Sequence, residues 1–510
     1  MRLNEETISN VKKEMIKTNL ESGGLFQGCV YGNAFSDEEE FIGVGDGRAG
    51  EEVNDDMYWR WASMTKIVGL LFLGLCLEEN LINLDDPVSK YIPEFSNINT
   101  YISDAVAVPD EVDKYGTPVY NMVTKTEKGL GDKITIRDLV NNKSGLGYGF
   151  WGLGSMRSSI LNPLAVTKSG QRMISFIQHY DKLYELGNTS SDSLVSYYYK
   201  NPLTETEILL ERIKQPLLCY PGTEKIYGVD QGVLGGVIGR ALQMKGFKCT
   251  AAQYCQWKIF LPLKMEKTWL CGKGLNPPKD VLEKLTDGYF VRQSNIDEQG
   301  GPKVKLNKTY RCFEEEAQGD GFAYQELNRY IVSQTDPPLT DYLAGAFHTS
   351  GAGPLSDLCK IIKVFINKGK YKTIDENNKV VFKQLVKETT INFLLSSKML
   401  EPELWGFGDK SFNLLSPYET WTGGMAKTND LQSPELPFSF GNNTYRWGGY
   451  FGNSFIFNTE TGNYMVSGTQ ASAASWQLNT LPNGKPPTSG FQVDAIKLYQ
   501  LLTSNFDGKY

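Results

Sequence analysis

The sequence predicts an α+β fold: an antiparallel β-sheet built from both chain ends and flanked by helices, with a mostly helical lobe inserted. Three observations carry this. Strand-like runs stand early, at residues 23–32 and 41–45. Strand-like runs return late, at residues 445–452, 454–458 and 464–468. Between them the apolar residues recur at helical spacing, as in Val233, Leu234, Val237 and Ile238.

Residues near 2–20 read as an amphipathic helix with Ile8, Val11 and Ile16 as its buried face. The two early strands form a hairpin around residues 36–40, which are Ser and acidic residues. Residues 57–61 are an aromatic, strand-like lead into a glycine-interrupted apolar run from Ile67 to Leu77. That run is too short for a bilayer, which needs about 20 residues, so it reads as a buried core helix ending near Glu78. Pro87 starts a short helix. Residues of about 100–130 are polar and irregular, as in an insertion loop. Thr135 is the N-cap of a helix that ends in the glycine- and aromatic-rich stretch 144–152. There the backbone either approaches a cleft or packs as an ordinary loop. Helices are expected over about 165–215. Residues 220–223 make a turn, and residues 226–230 open the apolar helix containing Val233. Residues of about 270–340, rich in charge, Pro and Gly, read as a surface excursion or lid. A glycine turn at 347–355 leads into a helix starting at Ser356, and residues 460–463 turn between the last two strands. A closing helix puts Phe491, Ala495, Leu498 and Leu502 on one face.

The 510 residues carry a net charge of −7 with both signs mixed along the chain, which argues against a nucleic-acid partner. No apolar targeting segment or membrane span is legible, so a cytoplasmic location is expected. The eight cysteines have irregular spacings without Cys-x-x-Cys, consistent with buried or free thiols. Three glycosylation sequons, at Asn188, Asn307 and Asn442, read as chance matches in that setting. The two histidines exclude a His-rich zinc site. His179 lies in an ordinary amphipathic helix, and His348 beside a glycine turn. A serine enzyme built from this chain is therefore expected to use a base other than histidine.

The stretch Trp61-Ala62-Ser63-Met64-Thr65-Lys66 stands immediately before the core helix. At helical spacing Ser63 and Lys66 share a face and reach each other. A serine at a helix N-terminus also sits among unpaired N–H groups that favour developing negative charge. Alone the pattern is weak: it should occur about twice by chance in a chain this long, and it recurs at Ser9 and Lys12.

Its company makes it specific. Ser63-Met64-Thr65-Lys66, Tyr227-Gly228-Val229 and Trp447-Gly448-Gly449 stand in the order of the three active-site elements of the serine β-lactamase and penicillin-binding-protein family. The chain resembles its class C-like branch, which includes family VIII carboxylesterases and the acyltransferases of statin biosynthesis. The stretches 84–95, 134–146, 220–223 and 262–265 continue the likeness, which covers about residues 20–475. It implies one β-lactamase-like catalytic domain over 1–510. The sheet lobe would be 20–95 with 440–510, and the mainly helical lobe 96–340 with insertions.

The chain departs from that family's pattern in three places. Asn142-Lys143 stands where the family often has His before Ser-Gly-Leu. Tyr227-Gly228-Val229 keeps the phenol but has no amide to hold a lactam's acyl amide. Trp447 replaces the cation that lactamases and peptidases turn toward a substrate carboxylate. The resemblance therefore implies an esterase or acyltransferase more than a β-lactamase or D-peptidase. The joint presence of Ser63, Lys66 and Tyr227 argues against a non-enzymatic scaffold.

In this reading Ser63 attacks an ester or other small-molecule acyl donor and forms an acyl-enzyme. Lys66 is useful as a base only if its value falls by about three units, roughly 4 kcal/mol. Tyr227 passes a proton to the leaving oxygen or serves as the base itself. By resemblance the oxyanion is held by the backbone N–H groups of Ser63 and Tyr450. Gly448 and Gly449 let that strand approach the substrate or form a bulge. Trp447, Trp151 and Tyr148 line an acyl pocket or simply pack the core. Nothing in these motifs implies a metal or cofactor.

Overall fold

The computed structural model describes residues 3–20, 24–48, 50–113, 116–147, 168–183, 209–210, 212–270, 284–296, 302–311, 347, 350–396, 419–428, 443–449, 451–471 and 498–503. The main sheet takes three strands from the early chain: β1 (Phe26–Asn33), β2 (Glu38–Arg48) and β3 (Glu51–Glu52). It takes five from the late chain: β12 (Glu419–Trp421), β13 (Ala426–Thr428), β14 (Thr444–Gly449), β15 (Asn453–Asn458) and β16 (Asn463–Gly468). Their order is β12-β13-β14-β15-β16-β1-β2-β3. The join between the two sets is antiparallel, with Gly28 opposite Gly468 and Asn33 opposite Asn463. The sheet built from both chain ends is thus present in the predicted form.

Every residue of β1, β15 and β16 is buried, because helices cover both faces. The period-two pattern of β1 sorts its side chains. Cys29 and Tyr31 join Val11 and Met15 of α1 (Glu5–Thr18), together with Leu498 and Leu502, in a small cluster on one face. Phe26 and Val30 face the large core on the other. Helix α1 corrects one expectation: Met15, not Ile16, is inward, and Ile16 is 40% exposed. The sequence Thr7, Val11, Met15 is the i, i+4 stripe that meets the sheet.

The core face is built on α2 (Thr65–Glu78). Twelve of its residues, Thr65 through Cys76, are buried, so it is a central post rather than an amphipathic surface helix. Around it lie α3 (Ile136–Val140), α4 (Lys168–Leu183), α5 (Asp230–Met244), α6 (Ala251–Cys255), α7 (Leu355–Ile366) and α8 (Glu388–Leu395). Helix α7 packs between α2 and strands β1, β15 and β16, while α5 and α8 pack directly on α2. Thr135 caps α3 through a reciprocal box with Asp138. No helix among the described residues is long and apolar enough to cross a membrane.

The inserted region differs from expectation in two places. Residues 100–126 form a hairpin, β5 (Thr100–Val112) with β6 (Pro118–Thr126), instead of an irregular loop. Only its base is buried, at Ile102, Ala105 and Tyr120; most of the rest faces solvent, which erased the alternation that marks a half-buried strand. Within 270–340 the described residues include a second hairpin, β7 (Tyr289–Ile296) with β8 (Pro302–Arg311). Tyr289 anchors it edge-on against Phe26. The expected mainly helical lobe, 96–340, therefore holds two hairpins among its described residues. Two short ribbons complete the strands: β4 (Trp59–Arg60) pairs with β9 (Ala352–Gly353), and β10 (Lys370–Ile374) pairs with β11 (Val380–Gln384).

Candidate active site

Ser63 sits in a single 3₁₀ turn, Ala62–Met64, that runs straight into α2. The turn is entered through a left-handed residue, Ala62, at φ 47°. For a residue with a Cβ that conformation costs about 1–2 kcal/mol, so its surroundings must impose it. They do: Trp61 N–H donates to Gly351 O at 2.8 Å, and Thr65 Oγ1 donates to Ala62 O at 2.6 Å. Thr65 Oγ1 in turn accepts from Gly351 N–H at 2.9 Å. Ser63 is the one partly exposed residue between Trp61 and Cys76.

Two side chains converge on Ser63 Oγ. Lys66 Nζ is hydrogen-bonded to it at 3.2 Å, as the spacing of three on one helical face demands. Tyr227 OH donates to it at 2.8 Å from the turn preceding α5. The side chain of Lys66 brings Nζ to 4.7 Å from the centroid of the Tyr227 ring. Lys66 is wholly buried, and burial holds its amine well below the ordinary 10.5; the carboxyl of Asp230 opposes that shift. A neutral amine in hydrogen-bond contact with a serine hydroxyl can take up its proton.

Two glycines set the walls. A Cβ at Gly228 would lie 2.5 Å from Gly147 Cα, so the Tyr227 turn and the turn after Ser144 touch backbone to backbone. A Cβ at Gly449 would lie 2.5 Å from Trp61 O, which puts the end of β14 directly against the residue before the 3₁₀ turn. The β14–β15 register is continuous through Gly448 and Gly449, so neither marks a bulge, and Gly449 serves close approach to Trp61. Trp447 lies beside Tyr227, with ring centroids 5.7 Å apart, and meets Trp421 edge-on at 4.6 Å.

Sequence reasoning did not find Trp421, which stands on a three-residue strand too short to show any alternation. It did not single out Ser144 or Asp230 either, whose hydroxyl and carboxyl are hydrogen-bonded inside the core. Asp230 had a signal: an acidic residue leading an otherwise apolar helix, three places after Tyr227. Burial pushes its carboxyl up to about 7, while the Ser144 hydroxyl and the Arg212 charge pull it back. Tyr148, Trp151, Tyr450 and His348 lie outside the described residues. His179 lies on α4, in the inserted region.

A family model described as Beta-lactamase matches residues 29–487. Among curated proteins, the acyltransferase calJ of Penicillium decumbens is 26% identical over 193 residues, which are 37% of this chain and 32% of that protein's length. The chain thus spans about a third of the curated relative it matches. Among solved structures, simvastatin synthase (LovD) from Aspergillus terreus superposes with a TM-score of 0.58 at 14% identity, covering 99% of each chain. EstCE1, described as a hydrolase with promiscuous acyltransferase activity, gives a TM-score of 0.53 at 15% identity, covering 96% of this chain and 97% of that one. These likenesses fix the fold.

Proposed function

The chain belongs to the β-lactamase family, and from that premise we propose that it is a serine enzyme whose acyl-enzyme forms on Ser63, acting on carboxylic esters. The observation that carries this is the convergence of Lys66 Nζ and Tyr227 OH on Ser63 Oγ, at 3.2 and 2.8 Å, with the amine buried. Ser63 Oγ attacks the acyl carbonyl as its proton passes to Lys66 or Tyr227. The C–O bond to the leaving alcohol then breaks, and the same proton is delivered to the departing oxygen. Tyr227 has the geometry to hand it over, since its hydroxyl touches the nucleophile and its ring lies under the lysine Nζ. Water repeats the sequence in reverse to release the acid. The N–H of Ser63, at the head of α2, would stabilise the oxyanion, with Tyr450 as the second donor by resemblance.

An ester is favoured over a lactam or D-peptide because Trp447, not a cation, faces Tyr227. A buried indole gives an acyl chain an apolar wall and offers a carboxylate no opposite charge. A second reading, transfer of the acyl group to an alcohol or amine, uses the same acyl-enzyme. It is supported by the acyltransferase activities for which EstCE1 and calJ are described.

Intact-protein mass spectrometry after brief incubation with p-nitrophenyl butyrate tests the proposal. Wild type should show a nitrophenol burst and gain one butyryl group, and Ser63→Ala should show neither. Turnover by Ser63→Ala at the wild-type rate would overturn the assignment. Added small alcohols that raise nitrophenol release and yield butyrate esters would favour the transfer reading.

A further inference from the structure

We propose that Asp230 is a positioning residue of this site: through Ser144 it clamps the Ser144–Gly147 turn against Tyr227–Gly228, and its buried carboxyl acts on the charge state of Lys66. The inference rests on the reading of Ser63 and Lys66 just given.

The connection is continuous. Asp230 is completely buried at the first position of α5, three residues after Tyr227. Ser144 Oγ donates to Asp230 Oδ1 and accepts from Leu146 N–H at 3.1 Å. Leu146 O accepts from the guanidinium of Arg212, which is itself buried over the Phe176 ring. The turn so held carries Gly147, whose backbone fills the space a Cβ on Gly228 would need. One hydroxyl therefore ties the start of α5 to the turn that backs Tyr227. Asp230 Oδ2 has no hydrogen-bond partner among the described residues, and a buried carboxyl oxygen left so is costly unless it serves a purpose.

The purpose we infer is electrostatic. Asp230 is the charged group that opposes the burial of Lys66. Of the helices packed on α5, α2 brings Lys66 and, at its far end, Glu78; α3 brings Arg137, paired with Asp85, and Asp138, held in the Thr135 cap; α6 carries no charge. The adjoining turns carry Lys143, Glu224 and Lys225, with Glu224 paired to Arg172. Arg212 is the cation that acts on Asp230 from the inserted region. The Asp230 carboxyl, at the start of a helix packed on α2, is thus the group that works against the burial of the Lys66 amine. A carboxylate at Asp230 favours the protonated amine, so it holds the acidic limb of acylation at a higher pH than an uncharged neighbour would.

The experiment is the pH profile of the pre-steady-state acylation rate with p-nitrophenyl butyrate, for wild type, Asp230→Asn and Ser144→Ala. Asp230→Asn keeps shape and hydrogen bonding but removes the charge; its acidic limb should move down by about half a pH unit or more. A purely structural Asp230 leaves the limb where it is, and that result would overturn the electrostatic role. Ser144→Ala should slow acylation about tenfold at unchanged substrate affinity, and should add little once Tyr227→Phe is present. If the two losses multiply instead, the clamp does not act through Tyr227. Should Asp230→Asn fail to fold, the Ser144→Ala cycle decides the clamp, and the acidic limb of Asp230→Ser, which also lacks the charge, decides the electrostatic role. Absence of any Ser63-dependent acylation in wild type would sink the functional reading itself, a result distinct from an unmoved limb.

Discussion

At the scale of single residues, Lys66 illustrates a conflict between stability and chemistry. A lysine ordinarily titrates at 10.5, and this one is buried with its amine held well below that. Between its lowered value and 10.5 the unfolded chain binds a proton that the folded chain does not, so folding is penalised there and stability rises with pH across that window. Lys66→Met should therefore stabilise the protein by about 1–2 kcal/mol near neutrality while abolishing acylation. The gain should shrink as pH approaches 10. Urea unfolding at pH 7 and pH 10 measures both; a variant no more stable than wild type at pH 7 would mean that the amine carries no burial penalty. The pairing of Ser63 with Lys66 was legible beforehand because a spacing of three on a helix is a geometric constraint. The contact of Tyr227 with Ser63 joins positions 164 residues apart, and only the family resemblance pointed to it. Ser144 was opaque for a simpler reason: a buried serine hydroxyl leaves no pattern in a sequence.

At the scale of elements, two turns and one strand end hold the site. The Tyr227 turn is backed by Gly147, and β14 ends against Trp61. Gly228→Ala must push these backbones apart, because the new Cβ would sit 2.5 Å from Gly147 Cα. The acylation rate should drop about 100-fold, as expected for a displacement near 1 Å at the reacting groups. The accompanying loss of stability should be about 1–3 kcal/mol. An acylation rate within twofold of wild type would show that the turn does not fix the phenol. The long helices and central strands could be read from the sequence, since α2, α5 and β1 are buried along most of their length and show it as apolar runs. The β5–β6 hairpin could not, because solvent covers most of it and the polar residues there resemble any surface loop.

At the scale of the whole molecule, the main sheet closes by pairing β1 with β16, elements that lie at opposite ends of the described chain. Asn33 and Asn463, bonded side chain to side chain, are 430 residues apart. A chain cut after residue 442 lacks β14, β15 and β16 and so leaves β1 an open edge. It should show no nitrophenol burst and no cooperative unfolding transition, whereas a burst from that fragment would mean that the nucleophile does not need the late strands. The late strands were foreseeable from their alternation and the turn at 460–463, and so was a sheet shared with the early strands; the pairing of β1 with β16 in particular was not, since pairing over such a distance has no local signature. This closure has a consequence during synthesis. At roughly 5–20 residues per second, a ribosome that has released β1 needs about twenty seconds to a minute and a half to deliver β16. Until then the sheet that carries β14 against Trp61 stays unclosed, and the nascent polypeptide holds Ser63 without its completed surroundings. Premature termination would thus release chemically inert fragments with a hydrophobic strand exposed, making them clients for chaperones and proteases.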